Sequence, residues 1–392
     1  MLPILAACLL VKGTCVIKNC PRIADVYHMQ NLLQELGCLV SWAGNTITVN
    51  AFHVNDNRMG GESVTRMRSS VMLLGAMIGR LGDVTMAYPG GCVIGSRPID
   101  IHLSALRKMG AEIVEEERFF TAKARELQGT EQELPFPSVG ATENVILAAV
   151  TAKGVTILKN AAREPEIVAL CGFLMEAGAD IQGAGSGELV IRGVEELHEV
   201  KYMVPADRIV AGTYLTAVLA AGGSIFLENA PSGQLGALLS VAEAMGGCVS
   251  VNQEGIGLDV IHRLKAFPYL KTEVYDGFPT DLQSPLMAAL SLAQGQSIIE
   301  ESIFENRFRV VPDLQQMGAD IEVVKNKAYI NGVKALQGME VEAEELRGGA
   351  ALVVAGLAAR GKSVVKSRHF IERGYENICK DLRNLGADIS LA

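Results

Sequence analysis

One cysteine in the sequence has neighbours that favour reactivity. Cys92 lies in the segment 89–102, PGGCVIGSRPIDIH, where glycines at positions 90, 91 and 95 give a backbone freedom that a packed core does not need. Arg97 follows five residues later, and a nearby guanidinium favours the thiolate, the nucleophilic form of cysteine. A buried, inert thiol is the usual alternative. The glycines and the arginine favour a reactive Cys92.

Polar and charged side chains recur in the turns that precede predicted helices: Arg66, Arg68, Ser138, Asp207, Arg208, Asp281 and Arg347. A helix N-terminus presents unpaired N–H groups and the positive end of the helix dipole, so it attracts anions. Arginines add paired hydrogen bonds to phosphate or carboxylate. Any one of these residues could instead be a helix cap or a solvated charge. Because they recur at one place in a repeat, we interpret the set as an anion-binding site.

A repeated unit positions these residues. An apolar residue, a glycine and a small residue recur, with the glycine at positions 37, 110, 178, 246, 318 and 386, that is, 73, 68, 68, 72 and 68 residues apart. Before each such phrase come an Ala/Leu-rich helical stretch, a β-branched strand, a polar loop and a second amphipathic helix. Short alternating strands follow it in most copies. Each unit is therefore predicted to be β-α-β-α-β-β.

Six units predict an α/β fold of two similar domains, 1–205 with the Cys92 loop and 206–392. Units 2 to 6 have a strand and turn before the first helix, as at 59–64 and 271–280, whereas unit 1 begins in the helix at Leu2. Either the first unit lacks its leading strand, or about 20 residues precede Met1 by the arithmetic of the repeat. We favour the second interpretation.

Composition excludes several classes of function. The net charge of −9 argues against general nucleic-acid affinity, because neutralising phosphates needs an excess of Lys and Arg. No apolar run approaches the roughly 20 residues needed to insert across a membrane. The apolar start at 1–10 resembles part of a signal peptide, but no basic residues precede it. The eight cysteines include no Cys-x-x-Cys pair and no His cluster accompanies them, so we expect no metal or disulfide and a cytoplasmic location.

Over essentially its whole length the chain resembles the UDP-N-acetylglucosamine 1-carboxyvinyltransferase family. The stretches that carry the resemblance are 89–102, 160–167 (NAAREPEI), 278–281 (FPTD), 304–307 (FENR) and 372–375 (ERGY), and the Gly-Gly-Cys-x-Ile-Gly loop is the most specific. The resemblance implies two inside-out α/β barrel domains, each of three βαβαββ units, the first unit here missing its leading strand. That fold agrees with the repeat count.

The resemblance also implies a reaction. The enolpyruvyl (carboxyvinyl) group of phosphoenolpyruvate moves to the 3-hydroxyl of UDP-N-acetylglucosamine and phosphate is released, without metal or organic cofactor, in the first committed step of peptidoglycan synthesis. Cys92 matches the loop cysteine described as the proton donor and the target of fosfomycin. Asp281 matches the carboxylate proposed as the base for the hydroxyl. Arg97 and Arg373 match ligands of phosphoenolpyruvate, and Arg347 matches a further cation near its carboxylate.

Positions that hold the UDP-sugar are matched by a larger set: Arg68, Arg97, Pro98, Ile99, Asp100, Ile101, Ser138, Val139, Gly140 and Ile303.

The N-terminus departs from the family. A Lys-Asn pair that binds phosphoenolpyruvate and the sugar precedes the family residues that match 2–5, and nothing here takes its place. The missing segment includes a strand of the second domain, so we expect an open sheet edge there. A lost charge-assisted contact costs ~10²–10³ in rate, so we expect the chain as printed to be nearly inactive and less stable. Phosphate release with and without about 20 restored N-terminal residues, the number that the repeat implies, tests this.

Two rival interpretations remain. The shikimate-pathway enolpyruvyl transferase shares the six-unit fold and phosphoenolpyruvate, but its loop lacks the Gly-Gly-Cys signature. A catalytically impaired or dead paralogue that binds UDP-sugar is favoured by the absent Lys-Asn pair. The presence of Cys92, Arg97, Asp281 and Arg373 opposes it.

Overall fold

A computed structural model of the chain describes residues 1–65, 67–90, 94–95 and 98–391, and for residues 62 and 63 the backbone alone. Two of the predicted site residues, Cys92 and Arg97, lie outside the described residues. The chain divides into two compact units. The first comprises the described residues of 1–90 and 98–205, and the second comprises 94–95 and 206–391.

The first unit alternates helices and short strands. Its helices are α1 (Leu2–Ala7), α2 (Ala24–Glu35), α3 (Glu62–Thr65), α4 (Leu73–Leu81), α5 (Asp100–Lys108), α6 (Val139–Ala149) and α7 (Pro165–Glu176). Its strands are β1 (Thr14–Lys18), β2 (Leu39–Ala43), β3 (Thr46–Asn50), β4 (Arg58–Met59), β5 (Asp83–Ala87), β6 (Glu112–Glu115), β7 (Phe119–Lys123), β8 (Glu131–Glu133), β9 (Val155–Lys159), β10 (Asp180–Gln182), β11 (Glu188–Arg192) and β12 (Val200–Met203).

The strands of the first unit form sheets with one shared design. The strand orders within the described residues are β2-β3-β1-β12, β6-β7-β5-β4 and β10-β11-β9-β8. In each sheet the last-named strand runs parallel to its neighbour and the other pairs are antiparallel. Along β5 and β9 every second residue is buried, so one face of each sheet covers the core.

Helices α1, α4 and α6 pack on one another inside the first unit. Residues 141–149 of α6 are all buried, which suits a helix that is apolar on most of its faces. Small residues allow the close approach: a Cβ at Gly75 on α4 would lie 2.3 Å from the backbone oxygen of Asn144 on α6. The helices are therefore inside and the sheets outside.

The second unit repeats this architecture. Its helices are α8 (Arg208–Ala221), α9 (Gly236–Met245), α10 (Thr280–Leu290), α11 (Val311–Gln316), α12 (Leu346–Ala358) and α13 (Ile378–Asn384). Its strands are β13 (Gly223–Glu228), β14 (Cys248–Asn252), β15 (Gly255–Val260), β16 (Tyr269–Lys271), β17 (Gln296–Glu300), β18 (Asp320–Val324), β19 (Lys327–Asn331), β20 (Glu340–Glu342) and β21 (Val364–Lys366). Helices α8, α10 and α12 pack together in its core.

The sheets of the second unit are less uniform. The order β18-β19-β17-β16 matches the design of the first unit, with a parallel pair at β16. Within the described residues, β14-β15-β13 lacks a parallel strand beside β13, and β20-β21 is a single parallel pair. On β13 the side chain of Phe226 is 41% exposed.

The repeated glycines have one structural role. All six, at positions 37, 110, 178, 246, 318 and 386, have φ between 94° and 104°. A residue in this left-handed region ends a helix, and glycine adopts it without steric cost. The segment 59–64 was predicted to be a strand and a turn, and its strand is short. It is the two-residue β4, and the chain then turns into α3.

No helix in the described ranges combines the length and the apolar character needed to cross a membrane.

Candidate active site

The first unit contains a cavity of about 540 Å³. Its lining includes Arg68, which begins a 3-10 turn, and Pro98, Ile99, Asp100 and Ile101, where the chain enters α5. Five of the residues predicted to hold the UDP-sugar therefore share one hollow. The cavity wall also contains Arg107 and Lys108, beside the carboxylates of Asp100, Glu115 and Glu133, and its volume suits a ligand of nucleotide size.

An ion pair forms part of the cavity wall. Arg107 Nη2 donates to Glu115 Oε1 over 2.7 Å, with the side chains 42% and 45% exposed, and the Tyr88 hydroxyl donates to Glu115 Oε2 over 3.1 Å. The hydrogen bond from Arg107 lowers the pKa of Glu115, and the bond from Tyr88 adds to the effect. Glu115 therefore keeps its charge and orients Arg107 at the rim.

The predicted residues Ser138, Val139 and Gly140 lie at the start of α6. Ser138 is the N-cap, and its Oγ accepts from the N–H of Ala141 over 3.4 Å. His102 on α5 packs against Gly140, because a Cβ there would be 2.9 Å from His102 Cε1. This contact connects the helix that lines the cavity with the helix end that carries the three predicted residues.

Asn144 fixes the orientation of His102. Asn144 Oδ1 accepts from the N–H of Gly75 over 2.6 Å, and Nδ2 donates to the carbonyl of Val71 over 3.0 Å. Nδ2 also lies 2.8 Å from His102 Nδ1. Since Nδ2 is a donor, His102 Nδ1 must be the acceptor and carry no proton. Sequence reasoning missed this buried pair.

Asp281 is the centre of the site in the second unit. It is in the first turn of α10, and its side chain is 40% exposed. Arg307 donates to Oδ1, and Arg347, in the first turn of α12, donates to Oδ2 over 3.1 Å. The structure therefore brings together two of the predicted residues, Asp281 and Arg347.

The charges around Asp281 decide its protonation. Crowding by protein atoms would raise its pKa, but the charges of Arg347, Arg307 and Arg208 outweigh this effect and hold the pKa well below its usual range. The Asp281 carboxylate in turn raises the pKa of Arg347, against the opposing effect of burial. Asp281 is therefore a charged hydrogen-bond acceptor at neutral pH.

Arg307 is a residue that sequence reasoning did not select. Its side chain is 2% exposed, its Nη1 lies 3.6 Å from Glu345 Oε2, and its Nε donates to the carbonyl of Thr280 over 3.3 Å. Glu345 is the N-cap of α12 and accepts from the N–H of Arg347 over 2.7 Å. Arg307 thus joins the N-terminal ends of α10 and α12. Its place within the stretch 304–307 was the only signal in the sequence.

Glu301 supports the predicted residue Ile303. Glu301 Oε1 accepts from the backbone N–H groups of Ile303 and Phe304 over 2.8 and 3.1 Å, and from Thr272 Oγ1 over 2.9 Å. Its Oε2 accepts from Thr280 Oγ1 over 3.0 Å. Thr280 precedes Asp281, so one buried carboxylate connects the Ile303 turn to the start of α10.

Arg373 ends a 3-10 turn, Arg368–Arg373, beside α12. The following residue, Gly374, packs on Leu346 at the start of that helix, where a Cβ would be 2.9 Å from a Leu346 methyl carbon. The hydroxyl of Tyr375 lies 2.7 Å from Thr213 Oγ1 and accepts from Arg347 Nη1 over 3.5 Å. The segment that carries Arg373 therefore adjoins the Arg347 side of the Asp281 cluster.

Comparison with known proteins identifies the family. The family described as EPSP synthase (3-phosphoshikimate 1-carboxyvinyltransferase) matches residues 1–382. A protein of Caldanaerobacter subterraneus named UDP-N-acetylglucosamine 1-carboxyvinyltransferase 2 is 45% identical over 99% of this chain and 93% of its own length. Proteins named UDP-N-acetylglucosamine 1-carboxyvinyltransferase from Oleidesulfovibrio alaskensis and Nitratidesulfovibrio vulgaris are 43% and 42% identical, with the same coverage.

The chain belongs to the carboxyvinyltransferase family of these relatives. The resemblance inferred from the sequence is therefore confirmed.

Solved structures share the fold of this carboxyvinyltransferase family member. The enolpyruvyl transferase NikO of Streptomyces tendae superposes with a TM-score of 0.88 at 24% identity, over 99% of this chain and 93% of that one. An EPSP synthase of Acinetobacter baumannii gives 0.71 at 19% identity, over 99% and 95%. The predicted α/β fold of inside-out barrels is confirmed.

Proposed function

We propose that this protein transfers the enolpyruvyl group of phosphoenolpyruvate to the 3-hydroxyl of UDP-N-acetylglucosamine and releases phosphate. One observation carries the proposal. In a chain 42–45% identical to proteins named for this reaction, Asp281 is a charged, 40% exposed carboxylate held by Arg307 and Arg347 at the ends of two core helices. Such a group can accept a hydroxyl proton beside an anion site.

The roles of the second unit follow from its charges. Asp281 orients the 3-hydroxyl and accepts its proton as the sugar oxygen bonds to C2 of phosphoenolpyruvate. Arg347 and Arg373 hold the carboxylate and phosphate of phosphoenolpyruvate, because guanidinium groups bind these anions through paired hydrogen bonds. From the resemblance, Cys92 gives the proton to C3 and Arg97 binds the phosphate. C3 then loses a proton, the C2–O bond to phosphate breaks, and the vinyl ether forms.

The first unit supplies the nucleotide-sugar site. Arg68 and the residues 98–101 line its cavity, and Arg68 and Lys108 offer cations suited to a diphosphate, while Arg107 is paired with Glu115. Val139 and Gly140, which follow the N-cap Ser138, offer backbone N–H groups at the start of α6 to the same ligand. In the second unit, Glu301 holds the turn that carries Ile303, which the resemblance assigns to binding of the UDP-sugar.

Phosphate release tests the proposal. The purified protein, as printed and in the N-terminally extended form described above, is incubated with phosphoenolpyruvate and either UDP-N-acetylglucosamine or shikimate 3-phosphate. We expect release that depends on UDP-N-acetylglucosamine, with a product heavier by one enolpyruvyl group in mass spectrometry. Release with shikimate 3-phosphate alone, or binding of UDP-sugar without release in either form, would contradict the proposal.

The physiological setting follows from this activity. We propose a cytoplasmic enzyme of peptidoglycan synthesis, needed for cell wall biogenesis, cell shape and cell division.

We further propose that fosfomycin alkylates Cys92. Mass spectrometry of the fosfomycin-treated protein, with Cys92→Ser as the control, should find one adduct on the peptide that contains residue 92.

A further inference from the structure

The two arginines bound to Asp281 are held very differently. Arg307 is 2% exposed and is also anchored by Glu345 and by the carbonyl of Thr280. The Arg347 side chain is 14% exposed, and apart from Asp281 the hydrogen bond recorded for its guanidinium is one of 3.5 Å to the Tyr375 hydroxyl. Moving Arg307 would break several buried contacts, whereas the contacts of Arg347 with described residues are one ion pair, one long hydrogen bond and a ring contact with Tyr375, 5.9 Å from the ring centre.

In this arrangement both oxygens of Asp281 accept hydrogen bonds from guanidinium groups. One lone-pair position on each oxygen is thus occupied by a guanidinium, and the two positive charges make the carboxylate a weak base. The charged and titratable groups facing it from the surrounding elements are Arg307, Glu345 and Arg347, Arg208 and Asp207 at the start of α8, and Tyr375. With Asp281 itself, the three arginines are balanced by three carboxylates, so an anionic ligand gains a cation here by replacing Asp281 as the partner of an arginine.

We infer that Arg307 is a positioning residue that fixes Asp281 through Oδ1, and that Arg347 leaves Oδ2 for the carboxylate or phosphate of the bound enol phosphate. Oδ2 then loses its guanidinium partner and becomes a stronger base for the proton of the sugar hydroxyl as the hydroxyl oxygen bonds to C2. Proton acceptance is thus favoured when the anionic substrate is present. The inference rests on the proposed function and adds an order of events to it.

This exchange has a thermodynamic consequence. If Asp281 and the substrate anion compete for Arg347, then removing the charge of Asp281 frees Arg347 and tightens phosphoenolpyruvate binding. Simple repulsion between Asp281 and the anion would also tighten binding, but it would do so whether or not Arg347 is present. A double-mutant cycle separates the two cases, because only competition requires Arg347.

The cycle is measured by calorimetric titration of phosphoenolpyruvate into the unmodified protein, Asp281→Asn, Arg347→Met and the double variant. We expect Asp281→Asn to bind about tenfold more tightly than the unmodified protein, the size of a typical charge-pair coupling. In the Arg347→Met background the same change should alter affinity less than about twofold. An equal gain in both backgrounds, or weaker binding by Asp281→Asn, would overturn the exchange.

The positioning role of Arg307 is tested by Arg307→Lys, which keeps the charge and loses the two-pronged geometry. We expect kcat to fall about tenfold or more while the affinity for phosphoenolpyruvate changes less than threefold, because orientation and not anion binding is lost. Arg309→Met is the matched control, because Arg309 is two residues away, its side chain is 41% exposed, and it pairs with Glu344 at the surface. Thermal melting verifies that both variants fold.

If kcat of Arg307→Lys equals that of the control, Arg307 does not position Asp281. These failures differ from failure of the proposed function. If the protein neither binds phosphoenolpyruvate nor releases phosphate, as printed or in the N-terminally extended form, the function itself is contradicted, whereas an active protein with an additive cycle would contradict only the exchange.

Discussion

The two units treat buried carboxylates in opposite ways. In the second unit, Glu301 is 4% exposed and accepts hydrogen bonds from two threonine hydroxyls and two backbone N–H groups. In the first unit, Glu143 on α6 is 1% exposed, and its Oε2 has no hydrogen-bond partner among the residues that the structure describes. One carboxylate is fully partnered and the other is not.

The neighbouring groups also separate Glu143 from Asp281, the acid of the candidate site. Burial raises the pKa of Glu143 to about 8, and the charges of Glu166 and Glu164 contribute to the shift. The arginines around Asp281 hold its pKa well below the usual range. Glu143 is therefore mostly neutral at pH 7, while Asp281 is charged. Burial keeps Glu143 mostly protonated, whereas the arginine charges keep Asp281 ionised, as the acceptance of a proton requires.

The largest expected effect comes from neutralising Asp281, the acid held by arginines. Asp281→Asn keeps the shape of the side chain but removes the proton acceptor, so we expect kcat to fall by ~10²–10⁴. The Kd for UDP-N-acetylglucosamine should change only a few-fold, because the cavity of the first unit is untouched. Steady-state kinetics and calorimetry measure the two quantities. A kcat within tenfold of the unmodified protein would remove Asp281 from the chemistry.

A change in the cavity of the first unit should have the reverse profile. Arg68→Met removes a cation from its lining, so we expect the Kd for UDP-N-acetylglucosamine to rise roughly tenfold to thirtyfold, with kcat nearly unchanged. Arg192→Met, which breaks a surface pair of 3.6 Å with Asp180 in the same unit, is the control. If both variants bind alike, Arg68 does not contact the ligand.

The unpartnered acid should affect stability through pH. Between pH 4.5 and about 8 the folded state binds a proton on Glu143 that the unfolded state has lost, so the free energy of unfolding falls as pH rises. Glu143→Gln cannot lose a proton. We expect the variant to be more stable than the unmodified protein by about 3–4 kcal/mol at pH 8, with little gain at pH 4.5.

Thermal and denaturant unfolding at the two pH values measure this difference. A gain of equal size at both pH values would mean that improved packing, and not the ionisation of Glu143, is responsible.

The sequence predicted the fold because the repeat is written in residues with strict backbone demands. The six glycines recur where a helix must end in the left-handed conformation, and that requirement is local. The pairing of Asp281 with Arg347 was harder to predict from the sequence. Both were selected because each is in the first turn of a predicted core helix, and parallel helices in one core bring such turns together.

The supporting residues could not be predicted in this way. Arg307 and Arg309 are two residues apart and equally charged, yet one is 2% exposed and the other 41%. Their difference depends on the long-range approach of Glu345 and Asp281, which no local pattern encodes. Glu143 was missed for the same reason: a glutamate in an apolar helix is usually solvated, and only the packing of α6 reveals that it is buried.

The smallest expected effect comes from the rim of the cavity. Glu115→Gln weakens the hydrogen bonds from Arg107 and Tyr88, but the pair is more than 40% exposed, so we expect a loss of less than about 1 kcal/mol at pH 7. Because the pKa of Glu115 is lowered, its contribution is present above the ordinary pKa and disappears as pH falls through the lowered value. Glu345→Gln, which weakens the buried partner of Arg307, should cost at least twice as much in the same denaturant experiment. Equal losses would show that burial does not distinguish the two ion pairs, and the contrast between the units would then rest on their hydrogen bonds alone.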